Sequence, residues 1–244
     1  MKCIIRALGA FCILAVLFSF GACQSTNTEE VDSLYNSIDQ NHEEKVSTKG
    51  TLKLSKSLTE NGDSFQLNAI LADNMVLQRN AVNCLWGSCE KDGEIAVSIN
   101  KQTFYGTVEN GRFEIYLSPM SAGGPYDMVI FNDTEKLTIK NVLVGEVFLL
   151  AGQSNMQMRV AETQPSEEEQ QTYANDKIRL FEIKADYEKE EQDNLSGTEV
   201  TAWAASSEDS TPYFSAAGYY FAQELQARYP DLPIGLVMCC QVDR

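Results

Sequence analysis

Short stretches in which apolar and polar residues alternate fill residues 65–143. Alternation with a period of two places every second side chain on the same face of a strand. Many short strands at this spacing predict an antiparallel β-sandwich, and Asn110-Gly111 is a hairpin signal within it. The stretches are Phe65–Ile70, Val82–Trp86, Glu94–Asn100, Thr103–Val108, Arg112–Leu117, Tyr126–Phe131 and Leu137–Lys140.

The pattern changes from Leu143 onward. Glu146–Ala151, Ile178–Ile183 and Ile234–Met238 are apolar runs without alternation, which predict buried strands. Tyr213–Tyr229 carries apolar residues at helical spacing between two prolines, Pro212 and Pro230, and predicts a helix. Strands alternating with a helix favour a parallel sheet, so residues 144–244 are predicted to form a separate α/β domain.

The first residues are typical of an export signal. Lys2 and Arg6 precede an apolar stretch that is shorter than the roughly twenty residues a membrane span requires. Phe20-Gly-Ala-Cys23 resembles a bacterial lipobox, which predicts a signal peptide over 1–22 and lipid attached to Cys23. The alternative is an ordinary signal peptide cut after Ala22. Either way we expect an exported protein, and the lipobox indicates a lipoprotein of the bacterial periplasm, outer membrane or cell surface.

Residues 23–64 are polar and poor in aromatic side chains, which predicts a disordered tether between the lipid and the folded part. The sequence has a formal charge of −16, and removing residues 1–22 takes away two cations and makes it −18. A chain this acidic is a poor ligand for nucleic acid and for anionic lipid head groups. Its predicted contact with the membrane is therefore the lipid anchor alone.

The cysteines and the histidine give no metal site. Cys84 and Cys89 could close a small disulfide loop in an oxidising compartment, or could be two half-buried strand residues. Cys239 and Cys240 are adjacent, and the only histidine, His42, lies in the predicted tether. No spacing suits zinc, so no metal or other cofactor is predicted.

Ser154 is the candidate catalytic residue. It follows the apolar strand Glu146–Ala151 directly, and Gly152 before it permits a tight turn. α/β hydrolases display a nucleophilic serine at such a position. Gln153 and Asn155 carry amide side chains beside it. They either contact the substrate, stabilise the turn, or form local hydrogen bonds with the backbone.

The string Gly145-Glu-Val-Phe-Leu-Leu-Ala-Gly-Gln-Ser-Asn-Met156 resembles the nucleophile block of the sialate O-acetylesterase family, within the SGNH (GDSL-like) hydrolases. The resemblance covers roughly residues 65–238. It implies a β-sandwich followed by an SGNH-type α/β domain with a flavodoxin-like parallel sheet, and Ser154 as nucleophile. Such enzymes remove acetyl groups from sialic acids or other glycans through an acetyl-serine intermediate, without a metal. Further matching segments are Asp73–Arg79, Ala122–Tyr126, Lys177–Phe181, Phe214–Ala216 and Leu232–Leu236. For Asp73–Arg79 the alternative is a purely structural role as a turn at a strand edge.

The sequence departs from the family after Met238. The family continues into a Ser-Trp-Gly-Gly-like turn, an oxyanion-hole asparagine and an Asp-x-x-His block, whereas this sequence reads Cys239-Cys-Gln-Val-Asp-Arg244. We therefore expect a C-terminally truncated member whose SGNH domain over 144–244 is incomplete and whose activity is impaired. The alternative function is a glycan-binding accessory surface lipoprotein built on the sandwich, with candidate aromatic residues Trp86, Tyr105, Phe113, Tyr116 and Tyr126.

Overall fold

The computed structural model describes residues 45–60, 64–183 and 202–240. The signal peptide, Cys23, His42 and residues 241–244 lie outside the described residues. The strands are β1 (Thr59–Glu60), β2 (Phe65–Leu67), β3 (Val76–Gln78), β4 (Asn83–Cys89), β5 (Gly93–Ile99), β6 (Gln102–Val108), β7 (Arg112–Leu117), β8 (Gly123–Phe131), β9 (Glu135–Gly152), β10 (Asn175–Glu182), β11 (Ala204–Ser206) and β12 (Ile234–Cys240). The α-helices are α1 (Ser154–Gln157), α2 (Glu167–Gln170) and α3 (Ala216–Arg228), and 3-10 turns cover Val160–Thr163 and Thr211–Tyr213.

The described strands form a mixed sheet of nine strands and a second sheet of three. The large sheet has the order β11-β10-β12-β9-β8-β5-β6, with β1 and β3 also paired to β9, and the small sheet has the order β2-β4-β7. The two sheets share one core, in which Leu85 and Ile115 of the small sheet lie with Ile95, Phe104 and Met128 of the large one. All five side chains are fully buried. The alternating apolar residues of 65–131 therefore mark the faces of the two sheets that pack against each other.

One strand, β9, runs through both parts of the chain. The sequence predicts two separate strands here, Leu137–Lys140 and Glu146–Ala151, with a domain boundary near Leu143. In the structure the first half of β9 pairs antiparallel with β8 and the second half pairs parallel with β12. The change of pattern at Leu143 therefore marks a change of neighbouring strands without a break in the strand itself.

The segment Asp73–Arg79 fixes the middle of β9. It contains β3, which pairs parallel with Leu143–Gly145. The Gln78 side chain accepts a hydrogen bond from the Val147 amide at 2.9 Å and donates one to Glu146 at 2.8 Å. Arg79 adds an ion pair to Glu146 at 2.6 Å. The segment thus contributes a short strand and a polar clamp, and the expected strand-edge turn describes only its beginning.

Residues 45–52, called the strap here, lie against the edge strand β6. The Tyr105 amide donates to the Ser47 carbonyl at 2.8 Å, and Gly50 lies so close to the Tyr105 ring that an added Cβ would be 2.0 Å from it. The Glu94 carboxylate accepts hydrogen bonds from the amides of Thr51 and Leu52 and from the Thr51 hydroxyl. The prediction of a disordered tether over 23–64 therefore does not hold for residues 45–60. The edge of the sheet supplies hydrogen-bond partners for the backbone of this segment, and amino-acid composition does not reveal such partners.

We expect the strap to detach in acid. Hydrogen bonds from Thr51 hold the pKa of Glu94 below its ordinary value of 4.5. A depressed folded-state pKa means that this stabilisation is complete above the ordinary value and is lost as the pH falls through the lowered one. In ¹H–¹⁵N NMR spectra, the Thr51 and Leu52 amides should keep their shifts at neutral pH and move at low pH. Glu94→Gln should move the Thr51 and Leu52 amide shifts at pH 7. Asp133→Asn, which removes another exposed ion-paired carboxylate, should leave them in place. Unchanged shifts in Glu94→Gln would refute the role of Glu94.

The candidate disulfide between Cys84 and Cys89 is wrong for this fold. Both residues lie on β4, five positions apart, so their Cα atoms are separated by roughly 16 Å and their side chains face opposite sides of the sheet. A disulfide requires Cα atoms within about 7 Å. Among the described residues, Cys84, Cys89, Cys239 and Cys240 form no disulfide.

The predicted helix Tyr213–Tyr229 is present with shifted ends. α3 begins at Ala216 rather than Tyr213, because Ser215 caps it by accepting a hydrogen bond from the Gly218 amide at 3.2 Å, and Pro212 lies in the preceding 3-10 turn. The acidic run Ser166–Gln171 forms the exposed helix α2, which starts with a capping box between Ser166 and Glu169. Across the described ranges, no helix has the length and apolar character needed to cross a membrane.

Candidate active site

Ser154 lies at the carboxyl edge of three neighbouring parallel strands. β10, β12 and β9 run in the same direction, and the last pair in register between β12 and β9 is Cys240 with Gly152. Ser154 follows two residues later as the first residue of α1 and is exposed. Ligands of α/β sheets bind at this edge. The predicted position of Ser154 beyond a buried strand is therefore the position it occupies.

The turn that carries Ser154 is short and held by its own backbone. The Gln153 carbonyl accepts hydrogen bonds from the amides of Met156 and Gln157, both at 3.0 Å, and the Ser154 carbonyl accepts one from Met158 at 2.9 Å. The side chains of Gln153, Ser154 and Asn155 are exposed and make no hydrogen bond to the residues that the structure describes. The local bonds considered for Gln153 and Asn155 are therefore absent, and the three side chains face solvent together.

A second chain segment supports this turn from behind. The Ser215 hydroxyl donates to the Met156 carbonyl at 2.5 Å, and the Ala216 amide donates to the Met158 carbonyl at 2.8 Å. Ser215 is buried and also caps α3. The segment Phe214–Ala216 thus connects the helix to the turn, which gives this matching segment of the sequence a structural role beside the candidate nucleophile.

Sequence reasoning missed the ion pair between Arg159 and Glu182. Their side chains meet at 2.8 Å and are 28% and 27% exposed. Glu182 is the last residue of β10, so its carboxylate lies at the same sheet edge as Ser154. A charged residue at the end of a predicted buried strand is the signal that points to it, although the sequence alone does not show which cation is its partner.

The two adjacent cysteines at this edge are poor nucleophiles. Burial, with smaller contributions from Cys239 and Glu182, raises the pKa of the Cys240 thiol to about 11, although Arg159 acts in the opposite direction. Burial also raises the pKa of Cys239. A thiol must lose its proton to act as a nucleophile, so both stay in their unreactive form near neutral pH. Ser154 is thus the better candidate at this edge.

No histidine accompanies Ser154 in the part of the chain that the structure describes, since the only histidine of the sequence is His42. The described residues also contain no cluster of three or more histidine, cysteine, aspartate or glutamate side chains that could hold a metal ion. The described site therefore consists of a displayed serine, two exposed amide side chains and the supporting ion pair.

Comparison with known proteins identifies the class of this fold and site. Residues 144–242 match the family model described as carbohydrate esterase, sialic acid-specific acetylesterase. The solved structure of a carbohydrate acetylesterase from Xanthomonas citri superposes with a TM-score of 0.65 at 31% identity, covering 72% of this chain and 40% of that one. The fold and the sequence around Ser154 are therefore similar to those of carbohydrate esterases.

The particular family follows from the curated relatives. The sialate O-acetylesterase of Rattus norvegicus is 29% identical over 196 residues, covering 72% of this chain and 35% of the relative. The human sialate O-acetylesterase is 26% identical over 196 residues, covering 72% and 37%. The chain belongs to the sialate O-acetylesterase family, and it spans about a third of the length of these curated relatives.

Proposed function

We propose that this chain carries the nucleophile of a sialate O-acetylesterase-like carbohydrate esterase, which removes O-acetyl groups from sialic acid or other glycans. The observation that carries the proposal is the exposed Ser154 on a tight turn at the carboxyl end of β9, within the region that matches the family. In finer detail, the proposal has a β-sandwich over 65–143, an SGNH-type α/β domain over 144–244 and export with a lipid anchor on Cys23.

In the proposed reaction the Ser154 hydroxyl attacks the acetyl carbonyl carbon, and the sugar hydroxyl leaves. Water then releases acetate from the acetyl-serine. The amides of Ser154 and Asn155 have no acceptor among the described residues, so they are the proposed donors to the developing oxyanion. A serine also needs a base and a group that orients the base. The proposal assigns neither role to a residue of this sequence, whose only histidine, His42, precedes the sandwich region.

Covalent labelling tests the nucleophile directly. We expect a fluorophosphonate probe, followed by peptide mass spectrometry, to modify Ser154 slowly in the 244-residue chain. Ser154→Ala should abolish that labelling, and Ser121→Ala, which removes another exposed serine, should leave it unchanged. Equal labelling of the Ser154→Ala chain, or labelling at other serines only, would contradict the proposal.

Turnover by the 244-residue chain should be negligible. Loss of the base from a catalytic triad costs several orders of magnitude in rate, on the order of 10⁴ or more. Hydrolysis of p-nitrophenyl acetate should therefore stay close to the rate of the Ser154→Ala variant. Rapid hydrolysis that Ser154→Ala removes would show that this chain contains its own base, and would overturn that part of the proposal while supporting the nucleophile.

The glycan-binding alternative gains no support from its candidate residues. Phe113 is only 3% exposed, and Trp86 and Tyr126 pack against the core. The strap covers the remaining two rings, with Gly50 against Tyr105 and the Lys45 ammonium 4.9 Å from the centre of the Tyr116 ring. The five aromatic residues therefore form no open platform of the kind that stacks on a sugar.

A further inference from the structure

The turn that displays Ser154 has few contacts of its own. α1 is a single turn of four residues, none of which is buried, and its cap residue Gln153 makes no capping bond through its side chain. An isolated helical turn is unstable in water. The geometry of Ser154 therefore depends on how the chain directly after it is fixed.

Arg159 fixes that chain through contacts with four neighbouring segments. One terminal nitrogen of its guanidinium binds Glu182 at the end of β10, at 2.8 Å. The other donates to the Tyr213 carbonyl at the end of a 3-10 turn, at 2.5 Å, and lies 3.9 Å from the Met238 sulfur on β12. Its backbone forms an isolated bridge with Ser215, the cap of α3. Arg159 thus connects the end of the Ser154 turn with two parallel strands and with the start of the helix.

These contacts suit orientation better than overall stability. A partly exposed ion pair contributes little to the free energy of unfolding. A planar guanidinium that reaches two acceptors at once instead fixes the direction of the chain that carries it, and a lysine cannot reproduce that fork. From this geometry we propose that Arg159 is a positioning residue, which holds the turn so that the Ser154 hydroxyl faces the substrate. The inference rests on the proposed function of Ser154.

Hydrogen exchange and labelling together test this role. Arg159→Met removes the guanidinium bonds to Glu182 and to the Tyr213 carbonyl, and we expect the amides of Met156–Met158 to exchange about tenfold faster. Exchange in β5 and β8 and the thermal midpoint should stay unchanged. Labelling of Ser154 should slow severalfold, and Arg159→Lys should recover part of both effects. Glu182→Gln, which keeps Arg159 and weakens the ion pair, should give a smaller change of the same sign.

Lys177→Met is the matched control. Lys177 lies near the other end of β10, where it binds Asp231 at 2.9 Å and the Pro230 carbonyl at 3.1 Å. The substitution therefore removes the same kind of contact at a distance from the site. If Arg159→Met and Glu182→Gln leave exchange at Met156–Met158 unchanged, or alter it no more than Lys177→Met, the inference is wrong. Absence of Ser154 labelling in the parent chain would contradict the proposed function instead, and the exchange rates would still decide the role of Arg159.

Discussion

Replacement of Trp203 by alanine is expected to lower the free energy of unfolding by about 3–5 kcal/mol. Trp203 is 3% exposed and packs against Phe181 of β10 with the ring centres 5.2 Å apart. Its indole nitrogen donates to the Ile70 carbonyl at 2.8 Å. The residue thus joins the parallel strands to the loop after β2, and its removal leaves a large cavity and an unpaired carbonyl in the same core. Urea denaturation followed by far-UV circular dichroism measures the loss.

Two variants separate packing from hydrogen bonding at this position. Trp203→Phe keeps most of the ring contacts and removes the donor to Ile70, so we expect a loss of about 1–3 kcal/mol. Tyr213→Ala removes an aromatic side chain that is 71% exposed, and should change stability by no more than about 0.5 kcal/mol. A loss below about 1 kcal/mol in Trp203→Ala would show that this contact does not join the two parts of the chain.

Local patterns were sufficient to predict most strands of residues 65–131. Arg112–Leu117 is β7 without any shift. Glu94–Asn100 is shifted from β5 by one residue at both ends, and Thr103–Val108 starts one residue after β6. Alternation reports which face of a strand is buried, and in two packed sheets that information is contained in neighbouring residues. The same holds for the apolar run before Ser154, whose position the sequence also predicts.

The features that the sequence did not predict depend on residues far apart in the chain. The strap is mostly polar, and it becomes part of the fold through its contacts with Glu94 and Tyr105 and through Val46, which packs against the core. The continuity of β9 is hidden because its halves have different neighbours. The pair of Arg159 and Glu182 joins residues from separate elements, so no spacing in the sequence reveals it. Long-range pairing decides each of these features, and periodicity contains no information about it.

Gly145→Ala is expected to cost about 2–3 kcal/mol, because a Cβ at this position would meet the backbone of the neighbouring strand segment. It would lie 2.0 Å from the Pro233 carbonyl oxygen and 2.6 Å from the carbonyl carbon. The Gly145 carbonyl accepts from the Arg79 amide at 2.7 Å, and the Glu146 amide donates to Pro233 at 3.0 Å, so neither side can move without losing a bond. Overpacking of this kind typically costs 1–3 kcal/mol.

Gly218→Ala is the matched comparison, since its Cβ would meet a flexible side chain rather than a backbone. The contact is with a terminal methyl of Leu150 at 2.1 Å, which can rotate away, and alanine gains about 1 kcal/mol of helix propensity over glycine within α3. Urea denaturation should therefore rank Gly145→Ala as clearly the more destabilised variant. Because Gly145 precedes the part of β9 that leads to the Ser154 turn, its substitution should also slow labelling of the serine. If the two variants are equally stable, the close approach of β9 and Pro233 does not set the position of that strand.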